Sequence, residues 1–213
     1  PEKLRHEFEA GASKKDMWET YLPAFEALVE DAHVEAVMCA YNSTNGEPCC
    51  ANKYLISDVL RDKWNFKGHV LSDCGAIQDL YNQENGHGTV QTKAEAAALA
   101  VNSGVSLNCG DTYPALPEAV EKGFITEEKI DEELAILLRT RCKLGLFDPA
   151  GSNPYDNISG DVVDSDEHRA LAKEVAQKGI VLLKNNGTLP LKKDLSKYFV
   201  TGPNAANTDI LLG

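Results

Sequence analysis

The chain reads as an α/β protein built on parallel strands, and three observations carry that reading. Short apolar runs at Val34–Tyr41, His69–Asp73 and Val105–Cys109 alternate with segments of helical periodicity. The intervening segments are long enough to be crossovers, which parallel neighbours require. Capping residues then mark the ends of several helices.

The first helix is expected from Ser13 to about Asp31, with Met17, Trp18, Tyr21, Leu22, Phe25, Leu28 and Val29 on one face. Ser13-Lys14-Lys15-Asp16 resembles a capping box at its start, and Pro23 should kink it. The strand Val34–Tyr41 leads into a polar loop from Asn42 to Asn52, and a second helix follows from about Lys53 to Trp64. Gly68 introduces the strand His69–Asp73. Thr92-Lys93-Ala94-Glu95 is a capping box for an Ala-rich helix closed by Gly104, and the third strand Val105–Cys109 comes next. A helix near Leu116–Lys122 precedes a longer one from Glu127. The longer helix has Thr126 as N-cap, acids in its first turn, Arg139, Arg141 and Lys143 in its last, and Gly145 past its end, as the macrodipole favours.

Residues 147–165 are rich in Gly, Pro, Asn, Asp and Ser and have no periodicity, so they read as an interdomain linker. Beyond them a helix from about Asp166 to Lys178 and strands Ile180–Leu183 and Tyr198–Thr201 look like the opening of a second α/β domain. The expected organisation is therefore 1–146, a linker at 147–165, and 166–213. Three βα units cannot close an eight-stranded barrel, which takes about 250 residues. The first part is either a small open sheet or a piece of something larger.

The 213 residues carry 33 acidic and 21 basic side chains, a formal charge of −12. Such a chain repels phosphate backbones and anionic headgroups, so neither nucleic acid nor a membrane surface is an expected partner. No apolar run approaches the roughly 20 residues of a spanning helix. Pro1–His6 has neither an initiator Met nor an apolar signal stretch, which leaves the compartment open with a lean to the periplasm or cell exterior. Six cysteines are too dilute in this length to form the main framework. None of them makes paired zinc spacing, so buried free thiols are the expectation and no metal is expected.

Ligands of parallel α/β folds gather at the carboxyl ends of strands. Two such ends stand out: Cys39-Ala40-Tyr41-Asn42-Ser43-Thr44-Asn45-Gly46 and Val70-Leu71-Ser72-Asp73-Cys74-Gly75. On spacing alone Asp73 either closes its strand as an Asx turn or N-cap or serves catalysis, and Tyr41 is either a core aromatic or a ligand contact. Asn42 and Asn45 read as turn residues.

The motifs sharpen this. Val37-Met38-Cys39-Ala40-Tyr41-Asn42, Asn45-Gly46, Cys50-Ala51-Asn52-Lys53, Trp64-Asn65-Phe66-Lys67-Gly68 and Ser72-Asp73-Cys74-Gly75-Ala76-Ile77 together resemble glycoside hydrolase family 3, most of all its β-xylosidase-like branch. His87, Glu95-Ala96-Ala97-Ala98, Leu107-Asn108-Cys109-Gly110, Gly179–Asn185 and Gly202-Pro203-Asn204-Ala205 continue the pattern in order along nearly the whole chain. The resemblance implies the C-terminal part of a (β/α)8 TIM-type barrel followed by the start of an α/β sandwich. It implies a retaining, exo-acting β-glycosidase without a cofactor, acting on oligosaccharides or aryl glycosides.

By the same resemblance Asp73 is the nucleophile and Tyr41 an aromatic hydroxyl in the sugar subsite. The acid/base Glu is expected beyond Gly213 and the early barrel strands before Pro1, which makes this a central fragment. Glu47 and Glu84 are the in-chain substitutes for the acid, Arg5 and His6 are placed near the site, and His87 is placed in its loop. The rival expectations are a non-catalytic carbohydrate-binding or structural fragment and an unrelated barrel enzyme such as an aldolase. The aldolase would need a Schiff-base Lys at a strand end, where none stands.

Overall fold

The computed structural model describes residues 2–192 and 199–212. It divides into two units, Pro1–Asn153 and Pro154–Gly213.

In the first unit a short strand β1, Glu9–Ala10, precedes α1, Lys14–Asp16. The Ser13 hydroxyl caps α1 by accepting the Asp16 N–H at 3.1 Å. A turn of π-helix, Met17–Tyr21, joins α1 to α2, Pro23–Glu30, with the Leu22 N–H bonded five residues back to the Met17 carbonyl. This is how the expected single helix accommodates Pro23. A proline has no N–H to give and crowds the carbonyl four residues before it, so the chain widens and restarts with Pro23 in the first turn.

Strand β2, Ala36–Cys39, follows, and a hairpin occupies the expected polar loop. Strands β3, Ser43–Thr44, and β4, Glu47–Pro48, pair antiparallel around Asn45 and Gly46, which hold φ of 53° and 89°. Two residues of positive φ, Asn then Gly, are what a tight right-twisted hairpin turn demands. Strand β3 also pairs in parallel with β1, Glu9 opposite Ser43. The second helix, Tyr54–Lys63, is wound with five-residue bonds and ends when the Trp64 N–H reaches the Val59 carbonyl. Its exit is pinned to α2, because the Trp64 indole donates to Glu26 Oε1 at 3.1 Å and packs edge-on against Trp18.

Strand β5, His69–Ser72, runs parallel to β2 with Cys39 opposite Ser72. The expected third strand, Val105–Cys109, is reduced to a single parallel bridge between Leu71 and Leu107. Ser106 and Leu107 both donate to the Val70 carbonyl, so the ladder loses its even spacing. Beyond that point the Ser72 hydroxyl takes over by accepting the Cys109 N–H at 3.0 Å.

Helix α3, Lys93–Asn102, has both halves of the capping box between Thr92 and Glu95. Its Ala96, Ala97 and Ala100 are fully buried, small enough to bring the helix close to its neighbours. Helix α4, Leu116–Glu121, leads to α5, Glu127–Lys143, capped by the Thr126 hydroxyl. The core centres on Ile77, Leu80, Val59, Val70 and Val105, each 2% exposed or less.

The expectation of free thiols is overturned. Cys39 bonds to Cys50 and Cys74 to Cys109, while Cys49 and Cys142 are free. Spacing misses both pairs because they join segments that only the folded topology brings together.

In the second unit α6, Asp166–Gly179, is capped by Ser165, and Arg169 grips Asp164 with two hydrogen bonds. Ile180–Leu183 does not form the expected strand. Its side chains are 60% to 92% exposed, and it has no strand partner among the described residues. Of the expected strand Tyr198–Thr201, Tyr198 lies outside the described residues and Phe199–Thr201 forms no strand.

Candidate active site

Because β2 and β5 are parallel and in register, their carboxyl ends open side by side. The Asp73 N–H still bonds to the Cys39 carbonyl at 3.0 Å, so the residue leaves the sheet with its backbone anchored. A turn follows at once: Asp73 Oδ1 accepts the Cys74 N–H at 2.7 Å, the Asp73 carbonyl accepts the Ala76 N–H, and Gly75 supplies the φ of 84° between them. Asp73 is half-buried and Cys74 exposed. The disulfide to Cys109 and the Gly75 N–H bond to the Cys109 carbonyl at 2.7 Å lock this turn to the segment beside β5.

Tyr41 lies across the mouth from the end of β2. Its hydroxyl donates to the Cys74 carbonyl at 2.7 Å. Burial, and after it the facing Asp73 carboxylate, raise the phenol above its ordinary pKa, so the group stays a neutral donor beside a negative charge. Asn42, just after it, donates through its side chain to the Ser43 carbonyl, which is the turn role expected of it. Asn45 turns the hairpin with its φ of 53°, and its side-chain oxygen accepts the distant Ala12 N–H at 2.9 Å.

Two histidines hold Tyr41. His87 Nε2 donates to the Tyr41 carbonyl at 2.7 Å, which leaves Nδ1 to accept from the Ser43 hydroxyl at 3.0 Å. His6 packs its ring at 4.3 Å from the Tyr41 ring, and the Arg5 guanidinium stands 5.2 Å over the same ring. His6 Nδ1 donates to Asp79 Oδ2 at 2.7 Å, while Nε2 accepts from Arg5 Nε at 3.2 Å. A cleft of about 260 Å³ opens here, lined by Glu2, Arg5, Phe8, Ala40, Tyr41 and Asn42.

Asp79 is the residue sequence reasoning missed. It is 5% exposed, and burial pushes its carboxyl above the ordinary value while the His6 hydrogen bond opposes the shift. The available signal was a lone acid between the apolar Ala76, Ile77 and Leu80, with Gln78 the one other polar residue of the turn, where a charge needs a partner.

The two in-chain candidates for a second carboxyl group are placed elsewhere. Glu47 Oε2 accepts the Lys53 N–H at the start of the second helix, and Glu84 is exposed in its loop. Neither shares a hydrogen bond with Asp73 among the described residues. A larger hollow of about 600 Å³, bounded by Met17, Leu22, Val29, Val37 and Cys39 among others, has no carboxylate in its lining.

Residues 6–140 match the family model of the glycosyl hydrolase family 3 N terminal domain. The chain belongs to glycosyl hydrolase family 3. It is 49% identical over 213 residues to a "Probable exo-1,4-beta-xylosidase" of Aspergillus clavatus, an alignment covering 98% of this chain and 27% of that protein. It is 39% identical over 217 residues to a "Xylan 1,4-beta-xylosidase" of Xylanibacter ruminicola, covering 100% and 25%. Among solved structures, a GH3 exo-beta-xylosidase in complex with a xylobiose aziridine activity based probe superposes with a TM-score of 0.75 at 36% identity, covering 89% of this chain and 25% of that one. A beta-glucosidase from Listeria innocua in complex with glucose gives 0.65 at 33% identity, covering 86% and 25%. The α/β glycosidase fold of family 3 is thus shared by this chain, which spans about a quarter of the length of the curated relatives it matches.

Proposed function

We propose that this chain is the nucleophile-bearing portion of a retaining, exo-acting β-glycosidase. Its first 146 residues would be the C-terminal part of a (β/α)8 barrel, and 166–213 the beginning of an α/β sandwich. The observation that carries the reading is Asp73, a carboxylate at the end of a buried parallel strand, anchored by the Cys74 N–H and faced by the Tyr41 hydroxyl.

Asp73 attacks the anomeric carbon of the non-reducing sugar, and a glycosyl ester forms as the bond to the leaving oxygen breaks. That oxygen takes a proton from a second carboxyl group, which in a retaining enzyme stands about 5–5.5 Å from the first. Water, deprotonated by the same group, then cleaves the ester and restores Asp73. Tyr41, whose one phenolic proton goes to the Cys74 carbonyl, offers its oxygen at the mouth to accept from a sugar hydroxyl.

The Ser72-Asp73-Cys74 sequence favours a β-xylosidase or α-L-arabinofuranosidase over a β-glucosidase. The small, disulfide-bonded Cys74 stands where a bulky indole would otherwise flank the nucleophile. Assay of a full-length polypeptide carrying this chain on aryl β-xyloside, α-L-arabinofuranoside and β-glucoside tests it. A clear β-glucoside preference overturns that order, and turnover that survives Asp73→Ala overturns the nucleophile.

A second reading, a carbohydrate-binding fragment without turnover, is favoured by the engagement of Glu47 in capping and the exposure of Glu84. Calorimetry of this chain with xylose and an assay of its turnover separate the two: turnover lost with Asp73→Ala supports an active chain, and binding without turnover supports the second.

A further inference from the structure

Tyr41 is gripped at two separate points, and both grips end on one residue. Its ring is packed by His6, whose Nδ1–H is taken by the Asp79 carboxylate at 2.7 Å. Its carbonyl is held by His87 Nε2, and the backbone N–H of His87 donates at 2.8 Å to the carbonyl of the same Asp79. Asp79 itself sits on the short helical turn Gln78–Leu80, next to Ile77 and Leu80, which are fully buried. The side chain of a single core-anchored residue therefore holds the His6 ring and its main chain holds the backbone of His87, and both histidines hold Tyr41.

We infer that Asp79 is a positioning residue that sets the Tyr41 hydroxyl against Asp73 through His6 and His87. The inference rests on the proposed roles of Asp73 and Tyr41. Its physical content is rigidity. Each imidazole is locked in one tautomer by its partners, since a carboxylate and a carbonyl can only accept. A phenol held by such rings loses little freedom when charge develops at the nucleophile, and displacement of a catalytic group by about 1 Å can cost up to about 100-fold in rate.

The alternative is that Asp79 merely satisfies the core. That role would lower stability on substitution and leave the rate constant of the folded enzyme unchanged, whereas positioning predicts a loss in kcat that depends on the intermediary His6.

The test uses the full-length polypeptide with aryl β-xyloside and four variants: Asp79→Asn, His6→Gln, the double variant and Asp73→Ala. Asp79→Asn keeps the main-chain hold on His87 and weakens only the grip on His6. It should lower kcat about 10-fold while KM stays within about twofold. In the His6→Gln background the same change should cost less than about twofold, because the two substitutions break one link.

Additive losses, or a folded Asp79→Asn enzyme with undiminished kcat, overturn the inference while leaving the nucleophile assignment standing. If Asp79→Asn fails to fold, His6→Gln decides alone: this partly exposed residue should reproduce the kcat loss with its melting temperature nearly unchanged, and unaltered kcat overturns the inference. Turnover by Asp73→Ala marks failure of the underlying function and of the inference with it.

Discussion

At their amino ends β2 and β5 meet α5 through Glu35, His69, Thr140 and Lys143. At their carboxyl ends they meet loops through Tyr41, Asp73, His87 and Cys109. At the first end the polar groups close on one another. Glu35 accepts from Thr140 at 2.9 Å and Lys143 at 2.8 Å, and His69 Nδ1 lies 3.2 Å from the Thr140 hydroxyl. At the second end the anchors are mostly backbone atoms, and one of the residues they hold, Tyr41, lines a cleft. The same strand pair thus separates holding from the proposed doing: one end stitches the sheet to a helix, the other anchors the Asp73 turn and the Tyr41 hydroxyl. In parallel α/β folds this division of the two faces is the expected one.

The largest effect that sharpens the contrast is Asp73→Ala. Turnover by the full-length polypeptide should fall at least about 10⁴-fold, the scale of losing a nucleophile. Stability should move by only about 1 kcal/mol, since no buried partner is stranded. A variant that unfolded outright would erase the distinction between the two ends and make Asp73 a structural residue. The check is kcat beside a urea midpoint on one preparation.

Next in size is the Cys74–Cys109 bond, which belongs to the doing end yet also crosslinks the chain. It closes a separation of 35 residues, against 11 for Cys39–Cys50. Loop-closure entropy then makes the first worth roughly 4 kcal/mol and the second roughly 3 kcal/mol. Cys74 is exposed, whereas Cys39 and Cys50 are buried. A mild thiol reductant should therefore open the first bond while the second persists, and activity should decline before the cooperative unfolding signal changes. Mass spectrometry of alkylated thiols over time would show Cys74 and Cys109 labelled first. Simultaneous labelling of all four would mean that the mouth is no more accessible than the core.

How far these features were legible follows from whether their cause is local. The caps at Ser13, Thr92 and Thr126 could be read because each satisfies N–H groups within three residues of itself, and Ser165 caps α6 in the same local way. That is why α6 forms in a unit where Leu171 and Val175 remain more than half exposed. Ile180–Leu183 has as strong an apolar signature, but a strand is completed by a partner, and none is present among the described residues. The shortfall at Val105–Cys109 has another cause: its partner β5 is present, but the Ser72 hydroxyl takes the Cys109 N–H, which no local pattern announces.

The placement of Tyr41 and Asp73 at neighbouring strand ends was legible from the strand pattern and motif. The placement of Arg5 and His6 near the Tyr41 ring was expected from resemblance alone. Asp79 and both disulfides depend on separations of 11 to 73 residues that only folding closes.

The smallest effect is the most discriminating, because the two ends respond to pH with opposite signs. The Lys143 bond, with the Thr140 bond behind it, holds the Glu35 carboxyl below its ordinary value against the opposing effect of burial. A carboxyl lowered on folding contributes stability above its unfolded pKa of about 4.3, and that contribution is lost as pH falls through the folded value. His69 is also lowered, by burial, so its neutral form is favoured in the folded chain and acidification below about 6.5 costs stability there too. Asp79 is shifted the other way by burial. Its contribution is present below about 3.9 and is lost as pH rises through the folded value. Glu35→Gln should therefore flatten the acid limb of the stability curve from about pH 5 downward, and Asp79→Asn, which removes a contribution of the opposite sign, should not flatten it. Glu35 is 38% exposed, so solvent screening keeps the loss near neutrality under about 1 kcal/mol. Urea midpoints across that range check it, and an acid limb unchanged by Glu35→Gln would show that the stitch to α5 is held by the Thr140 hydroxyl and the packing beneath it.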